Sequence, residues 1–147
     1  MQIRPYQPAD ADPLLAIFRK NVPAAFGKNE IADYAHFLTT MTNPCFVAEH
    51  DGAVVGTCGY YIMPDGETAR IVWIFTDPDV PGLGVGSALL RYNLAAIRQQ
   101  PNVTVIECRT SQVALRFFQK FGFTLKYTEP DFWAPGLDLY FMTMPID

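Results

Sequence analysis

The segment from Ala69 to Thr76 constrains the fold most strongly, because it is apolar on both sides of an extended chain. Strict alternation divides its large side chains into two sets on opposite faces, with Ile71, Trp73 and Phe75 in one and Val72 and Ile74 in the other. A strand of this kind needs cover on both faces, as central strands have. The pattern therefore predicts a sheet with helices packed against both of its faces.

Helix and strand patterns alternate along the rest of the chain, in the order β, α, α, β, β, β, α, β, α, β, β. The predicted strands cover 2–6, 45–50, 53–63, 69–76, 103–108, 123–127 and 137–144. The predicted helices begin near Asp12 and Asn29, after the glycines of 82–86, and near Ser111. Asp51 and Gly52 form a two-residue hairpin turn between the second and third strands. A chain of 147 residues is expected to form one domain, 1–147, of class α/β (α+β), with a mixed sheet of about seven strands and about four helices.

Composition and charge exclude several classes of protein. Half of the residues are apolar and 18% are charged, which is typical of a folded globule and not of a disordered chain. The net charge is −4 and the longest basic run is the pair Arg19-Lys20, so nucleic acid is not an expected partner. Because no apolar stretch approaches the ~18 residues that span a bilayer, no membrane partner is expected. The first residues also lack a signal-peptide pattern.

The cysteines and histidines offer no metal-binding pattern. Three cysteines lie far apart without a CxxC spacing, which favours a reducing cytoplasm over a disulfide framework. His36 and His50 are the only histidines and are interpreted as surface residues. We therefore expect no metal cofactor and a cytoplasmic location.

A glycine-rich segment, Val80 to Leu90, joins the central strand to an apolar helix. It is not a Walker A loop, since no lysine precedes Ser87, and it does not fit the dinucleotide pattern GxGxxG. Glycines at this place let a ligand reach backbone N–H groups at the positive end of a helix, which predicts an anion-binding cradle. The alternative is a tight turn centred on Pro81-Gly82, but one turn does not require three glycines.

Two motifs together resemble the GNAT superfamily of acetyl-CoA-dependent N-acetyltransferases. The segment Pro81-Gly82-Leu83-Gly84-Val85-Gly86 is similar to the family's pyrophosphate loop, Gln/Arg-x-x-Gly-x-Gly/Ala. The segment from Thr110 to Phe123 is similar to the family's helix motif Asn-x-x-Ala-x-x-x-Tyr-x-Lys-x-Gly-Phe. Because the predicted order of elements also matches, the resemblance covers essentially the whole chain and implies a sheet splayed at its centre.

The resemblance implies positions for acetyl-CoA. Its pantetheine arm would pair with the backbone of the central strand as an added strand does. The pyrophosphate would bind the amides of the glycine loop, and the helix after Ser111 would flank the thioester. The implied cofactor-binding residues are Ile74, Phe75, Thr76, Gly82, Leu83, Gly84, Val85, Gly86, Ser87, Ser111 and Phe118.

Three positions depart from the family pattern. Pro81 replaces Gln/Arg, which removes a side-chain contact and one backbone donor. Ser111 replaces Asn with a shorter polar group. Phe118 replaces the tyrosine that in many members protonates the leaving thiolate. If Gly122 ends the helix at C′, Phe118 and Phe123 are the C3 and C″ residues of a Schellman motif.

Glu107 is the candidate catalytic residue. It lies in register with Val103 and Val105 on one face of the strand, so burial beside these apolar neighbours would raise its pKa toward the range of a general base. Strand curvature that turns Glu107 to solvent is the open alternative. Cys108 is interpreted as a small buried residue, with a protonating thiol as its alternative.

Aromatic residues supply candidates for an acceptor pocket. Tyr60 and Tyr61 are adjacent on a strand, so one of them faces the ligand side of the sheet. The segment Asp131 to Gly136 is expected to be an aromatic loop between the last two strands. In the family such a loop often lines the acceptor pocket, and a tryptophan cover on the sheet edge is the equal alternative.

The function that follows from the resemblance is transfer of an acetyl group from acetyl-CoA to a primary amine by direct attack. The acceptor would be a small molecule or a protein amine, and a homodimer stays open. The alternative is a CoA-binding regulatory or interaction module that has lost catalysis, which the replacements at Pro81 and Phe118 motivate.

Overall fold

The computed structural model describes residues 1–146. The seven strands are β1 Gln2–Pro5, β2 Cys45–His50, β3 Ala53–Ile62, β4 Thr68–Thr76, β5 Val105–Thr110, β6 Thr124–Ala134 and β7 Leu137–Pro145. The four α-helices are α1 Ala11–Lys20, α2 Glu30–Thr40, α3 Val85–Arg98 and α4 Leu115–Lys120. Short 3₁₀ turns, Pro8–Asp10 and Gln112–Ala114, precede α1 and α4. In the described part of the chain, no helix is long and apolar enough to cross a membrane.

One mixed sheet contains all seven strands in the order β1-β2-β3-β4-β5-β7-β6. Only the pairing of β4 with β5 is parallel, among the pairings of residues 1–146. Helices cover both faces, so the predicted fold class is confirmed. The hairpin turn is confirmed as well, because Asp51 and Gly52 have φ values of 52° and 79°.

The two faces of the sheet bury separate apolar cores. The larger core lies under α3 and α4 and includes Ile71, Leu89, Ile106 and Met142. The smaller core lies under α1 and α2 and includes Leu14, Phe18, Tyr34 and Phe75. The prediction of cover on both faces therefore holds at β4.

The predicted division of β4 into two faces is wrong, because the strand contains a bulge. Trp73 has φ +50°, and the register against β3 shifts between Thr57 and Gly59. One extra residue reverses the alternation beyond it. Ile71 therefore packs in the core under α3, whereas Trp73 and Phe75 pack in the core under α1 and α2.

Three other local predictions need correction. β5 begins at Val105 and not at the predicted Val103. Val103 packs into the larger core ahead of the strand. The apolar spacing after Ser111 predicts that Val113 points inward, but the residue is 57% exposed, because it lies in the 3₁₀ turn before α4. The expected aromatic loop is mostly strand: β6 continues to Ala134, with a register irregularity after Glu129.

β4 and β5 separate halfway along their length. Their parallel pairing runs from Thr68 with Val105 to Ile71 with Cys108 and stops there. Beyond that point β4 stays paired with β3 and β5 with β7. The sheet therefore opens into a cleft between Thr76 and Thr110, as the resemblance implied.

Candidate active site

A cavity of about 560 Å³ occupies this cleft. One part of it is lined by the end of β4, the start of α3 and the segment from Ser111 into α4, through Ile74, Phe75, Thr76, Gly86, Ser111, Phe117 and Phe118. The other part lies toward α1 and α2 and is lined by Phe26, Glu30, Phe37, Tyr61, Arg70, Trp73, Arg109 and Trp133. We call the second part the acceptor chamber.

The glycine loop forms an open cradle at the start of α3. Gly84 is the N-cap of this 14-residue helix and has φ +65°, and Gly82 has φ +81°. A Cβ atom built at either glycine meets no atom within 4 Å. The first N–H groups of a helix have no partner within it. The loop therefore presents unhindered backbone donors to an anion, which fits the phosphates of a nucleotide cofactor.

α4 ends as the position of Gly122 predicts. The N–H of Phe123 donates to the carbonyl of Phe118 at 3.2 Å, and the N–H of Gly122 donates to that of Gln119 at 3.0 Å. Gly122 has φ +99°, and the rings of Phe118 and Phe123 lie 5.3 Å apart. This Schellman arrangement holds Phe118, which is 1% exposed, between the core and the cavity.

Hydrogen bonds fix the end of α1 and the β6–β7 hairpin against the two strands that border the cleft. The side chain of Asn21 donates to the carbonyl of Thr76 at 3.0 Å, which joins the end of α1 to β4. The indole N–H of Trp133 donates to the carbonyl of Thr110 at 3.0 Å, which joins β6 to β5. Gln112 also donates to the carbonyl of Gly136 at 2.7 Å. The cavity is thus built on fixed elements.

The walls of the acceptor chamber touch each other at Gly27. A Cβ atom built at Gly27 would lie 2.8 Å from the Cβ of Ala134 and 3.1 Å from the carbonyl oxygen of Trp133. Only glycine allows this close approach of the α1–α2 segment to the β6–β7 hairpin. Trp73 contributes the floor, and its ring lies 5.9 Å from that of Phe37.

Glu107 is paired with Arg70 across β4 and β5. The Nε of Arg70 donates to Oε2 of Glu107 at 2.7 Å, and Nη2 lies 2.7 Å from the same oxygen. Nη1 of Arg70 donates to the hydroxyl of Tyr61 at 3.0 Å. Arg70 and Tyr61 line the cavity, whereas Glu107 contacts Arg70 and does not itself line the cavity. Of the two adjacent tyrosines, Tyr61 faces the cavity and Tyr60 is buried in the core.

Glu30 is a buried carboxylate in the wall of the acceptor chamber. The residue is 5% exposed and begins α2. Its Oε2 accepts a hydrogen bond from the N–H of Gly27 at 2.8 Å. Burial raises the pKa of Glu30 above its ordinary value. Sequence reasoning missed this residue, because an acidic residue in the first turn of a helix is common for electrostatic reasons alone.

The three cysteines differ in burial, and one of them lines the cavity. Cys108 lines the cavity at 2% exposure, and burial raises the pKa of its thiol and keeps it neutral. All three cysteines are free. Residues 1–146 contain no cluster of three His, Cys, Asp or Glu side chains that could hold a metal ion.

These features describe an α/β protein with a cleft through its sheet, an anion cradle at one end of the cleft and an aromatic chamber at the other. The model of the acetyltransferase (GNAT) family matches residues 11–123. The chain belongs to this family, and it is an acetyltransferase. The resemblance stated from the two motifs is thereby confirmed.

Relatives of known name agree with this assignment. An N-alpha-acetyltransferase of Sulfurisphaera tokodaii is 29% identical over 171 residues, covering 99% of this chain and 93% of the relative. The ribosomal-protein-alanine N-acetyltransferase of Brucella melitensis superposes with a TM-score of 0.80 at 23% identity, over 99% of this chain and 100% of that one. The structure of yncA of Salmonella typhimurium, solved with its cofactor acetyl-CoA, superposes with a TM-score of 0.76 at 23% identity. The match covers 100% of this chain and 94% of that one. The last two likenesses establish the fold.

Proposed function

We propose that the whole chain, 1–147, is one acetyl-CoA-dependent N-acetyltransferase domain that acts on a primary amine. The observation that carries the proposal is the continuous cavity between the anion cradle and the acceptor chamber. Such a cavity brings a phosphate-bearing donor and an amine to the same point from opposite sides. Acetyl-CoA, the cofactor of the similar yncA, is the donor that this arrangement fits.

The donor is proposed to bind the residues that the sequence motifs name. The amides of 82–87 would hold its pyrophosphate, and the backbone of 74–76 would pair with its pantetheine arm where β4 has lost β5 as a neighbour. Ser111 and Phe118 line the opposite wall. The Ser111 hydroxyl accepts a hydrogen bond from the N–H of Val113 at 3.3 Å, so it keeps its own proton to donate.

The reaction needs orientation and proton transfer, which this chain's residues supply. Acetyl-CoA provides an activated acetyl carbonyl: the amine nitrogen bonds to that carbon while the C–S bond breaks. The acceptor ammonium loses two protons in total, of which one ends on the thiolate and one is released. Holding the amine beside the thioester in a walled cavity accounts for much of the rate enhancement.

Glu107 is the proposed base. Both contacts from Arg70 end on Oε2, which leaves Oε1 to accept a proton through a water, because Glu107 itself does not line the cavity. We expect Glu107→Gln to lower kcat/KM by ~10²–10⁴-fold while the affinity for acetyl-CoA is unchanged. Glu67→Gln, the same change at an exposed turn residue, is the matched control. A loss below threefold would make Glu107 a structural partner of Arg70.

Turnover of acetyl-CoA with a panel of amines tests the function. Release of free thiol above the uncatalysed rate, with one acetyl group added to the amine by mass, supports the proposal. Gly86→Val should abolish it, since Gly86 lines the cavity and a Cβ there already lies 3.5 Å from Phe117. Ala95→Val is the control, because it introduces the same valine on the exposed side of the same helix.

A CoA-binding module without catalysis is the second candidate, because Phe118 and Pro81 replace residues of the family motifs. Thermal stabilisation by acetyl-CoA without thiol release for any amine would favour it. The amine panel includes small molecules and protein amines, the latter because a relative is named an N-alpha-acetyltransferase. A cytoplasmic location is proposed on the three free cysteines.

A further inference from the structure

The charges of the acceptor chamber restrict what can bind there. Among residues 1–146, three charged side chains line the cavity: Glu30, Arg70 and Arg109. Arg70 is neutralised by Glu107, which contacts it at 2.7 Å. Within residues 1–146, neither Glu30 nor Arg109 has an ion-pair partner. The chamber therefore presents one unpaired negative and one unpaired positive charge.

Arg109 is held at the chamber by aromatic contacts. Its guanidinium lies 5.1 Å from the ring centre of Phe132 and 5.7 Å from that of Trp133. These two cation–π contacts hold the guanidinium beside the rings and leave its N–H donors available to an acceptor group. A planar fork of this kind matches a carboxylate.

Glu30 supplies the opposite charge from the other wall. Its carboxylate is buried beside aromatic side chains, and one N–H, from Gly27, is its hydrogen-bond partner within residues 1–146. A buried carboxylate with one hydrogen bond retains acceptor capacity for a cation. Gly27 also touches Trp133, whose indole binds the carbonyl of Thr110. Glu30 and Arg109 thus face the chamber from two walls that meet beside the end of β5.

The rest of the acceptor chamber is apolar. It is lined by five aromatic side chains, Phe26, Phe37, Tyr61, Trp73 and Trp133. These surfaces favour an apolar or aromatic body over a polyhydroxylated or polycationic one.

We infer that the acceptor is a zwitterion, namely a primary amine on an apolar body that also carries a carboxylate, as in a free apolar amino acid. Glu30 binds the ammonium group, Arg109 binds the carboxylate, and the aromatic walls bind the side chain. The inference rests on the proposed N-acetyltransferase function and narrows its acceptor. A polycationic amine leaves charges unmatched in this chamber, and a peptide N-terminus lacks the nearby carboxylate.

The test compares free amino acids with their own amides. Leucine, methionine, phenylalanine and tryptophan are each assayed against the corresponding amide at saturating acetyl-CoA, together with phenethylamine and a peptide amide that begins with phenylalanine. We expect kcat/KM for at least one acid to exceed that of its amide by about tenfold or more, the ratio that one charge-assisted hydrogen bond supports.

Variants assign the preference to the two charges. Arg109→Gln should lower kcat/KM for the acid about tenfold and leave phenethylamine within threefold, while Arg98→Gln, at the far end of α3, changes neither. Glu30→Gln keeps an acceptor for the N–H of Gly27 and should lower kcat/KM about tenfold for every amine, with Glu67→Gln as its control. The KM for acetyl-CoA should stay constant in all four variants.

The outcomes separate this inference from the proposed function. Equal use of acids, amides and peptide overturns the zwitterion and leaves the acetyltransferase intact. A changed KM for acetyl-CoA in Arg109→Gln overturns the role given to Arg109 and assigns it to the cofactor. If no amine is acetylated, the proposed function fails, and the pocket is then judged by binding: with CoA present, the amino acids should raise Tm more than their amides do, and equal shifts overturn the inference.

Discussion

Phe118 stands where the family motif has tyrosine, and its ring has a structural role. It is 1% exposed, packs edge to face on Phe123 at 5.3 Å and lies at the C3 position of α4. Phe118→Ala should therefore lower the free energy of unfolding by ~3–5 kcal/mol, the cost of such a cavity. Denaturant unfolding at constant m-value measures this loss.

The absence of the hydroxyl at Phe118 makes a separate kinetic prediction. A thiol with a pKa near ~8.5 is a fair leaving group, so solvent or the departing amine proton can protonate it. We expect Phe118→Tyr to fold and to change kcat by less than about threefold. A hundredfold gain would show that protonation of the thiolate limits the reaction and that our account of this position is wrong.

Glu30 should reduce the stability of the folded protein at neutral pH. Burial raises its pKa above 4.5, so the folded state holds this proton more tightly than the unfolded chain does. The free energy of unfolding therefore falls as pH rises from about 4.5 through the raised pKa. Glu30→Gln should be more stable than wild type at about pH 7, and the difference should vanish in acid.

Urea unfolding across this pH range checks the sign of the effect. Glu67→Gln removes the same charge from an exposed position and should show no such trend. A loss of stability at neutral pH in Glu30→Gln would mean that the carboxylate serves the fold through Gly27 and not the acceptor.

The site residues differ in how far the sequence could predict them. Gly82, Gly84 and Ser111 belong to local motifs, so their places at a helix start follow from short-range rules. Glu30 and Arg109 become a pair of chamber charges only when α2 and β5 are brought together by the sheet. Nothing within a few residues of either one indicates this.

In β4, the apolar periodicity predicts the strand but not the face on which each residue lies. Its apolar residues predicted a central strand correctly, but the bulge at Trp73 exchanged the faces of the residues that follow. A tryptophan at φ +50° is stabilised by tertiary contacts, here with Phe18, Tyr34 and Phe37. Alternation in the sequence carries no sign of such a bulge.

The end of α4 gives a prediction at the same scale. Gly122 has φ +99°, and a Cβ atom there would lie 3.2 Å from the sulfur of Met144. Gly122→Ala should lower the free energy of unfolding by more than ~1–2 kcal/mol, because the left-handed backbone and the contact with Met144 both oppose an alanine. Gly66→Ala, at φ +73° with no atom within 4 Å, carries the backbone cost alone and is the control.

The two variants are expected to differ in both stability and acetyl-CoA affinity. Thermal unfolding should place Gly122→Ala below Gly66→Ala in Tm, and acetyl-CoA affinity should fall only in the former, since α4 carries Phe117 and Phe118 into the cavity. Equal losses of stability would mean that Met144 moves aside freely.

A ligand that binds in the cleft of the splayed sheet is expected to stabilise the whole molecule. β4 and β5 are joined only as far as Ile71 and Cys108, so a ligand in the cleft bridges two halves of the sheet. Anything that binds the folded state alone stabilises it by mass action. Acetyl-CoA at a hundredfold excess over its Kd should add about 2.7 kcal/mol to the free energy of unfolding.

For a domain of this size, that gain corresponds to a rise in Tm of roughly 5–10 °C. Gly86→Val should abolish the rise, because its side chain fills the cavity beside Phe117 and Thr76, whereas Ala95→Val should keep it. Each variant is compared with its own ligand-free Tm, which removes any direct effect of valine on α3. No shift in wild type at millimolar acetyl-CoA would contradict both the enzyme and the CoA-binding module, since each requires the donor to occupy the cleft.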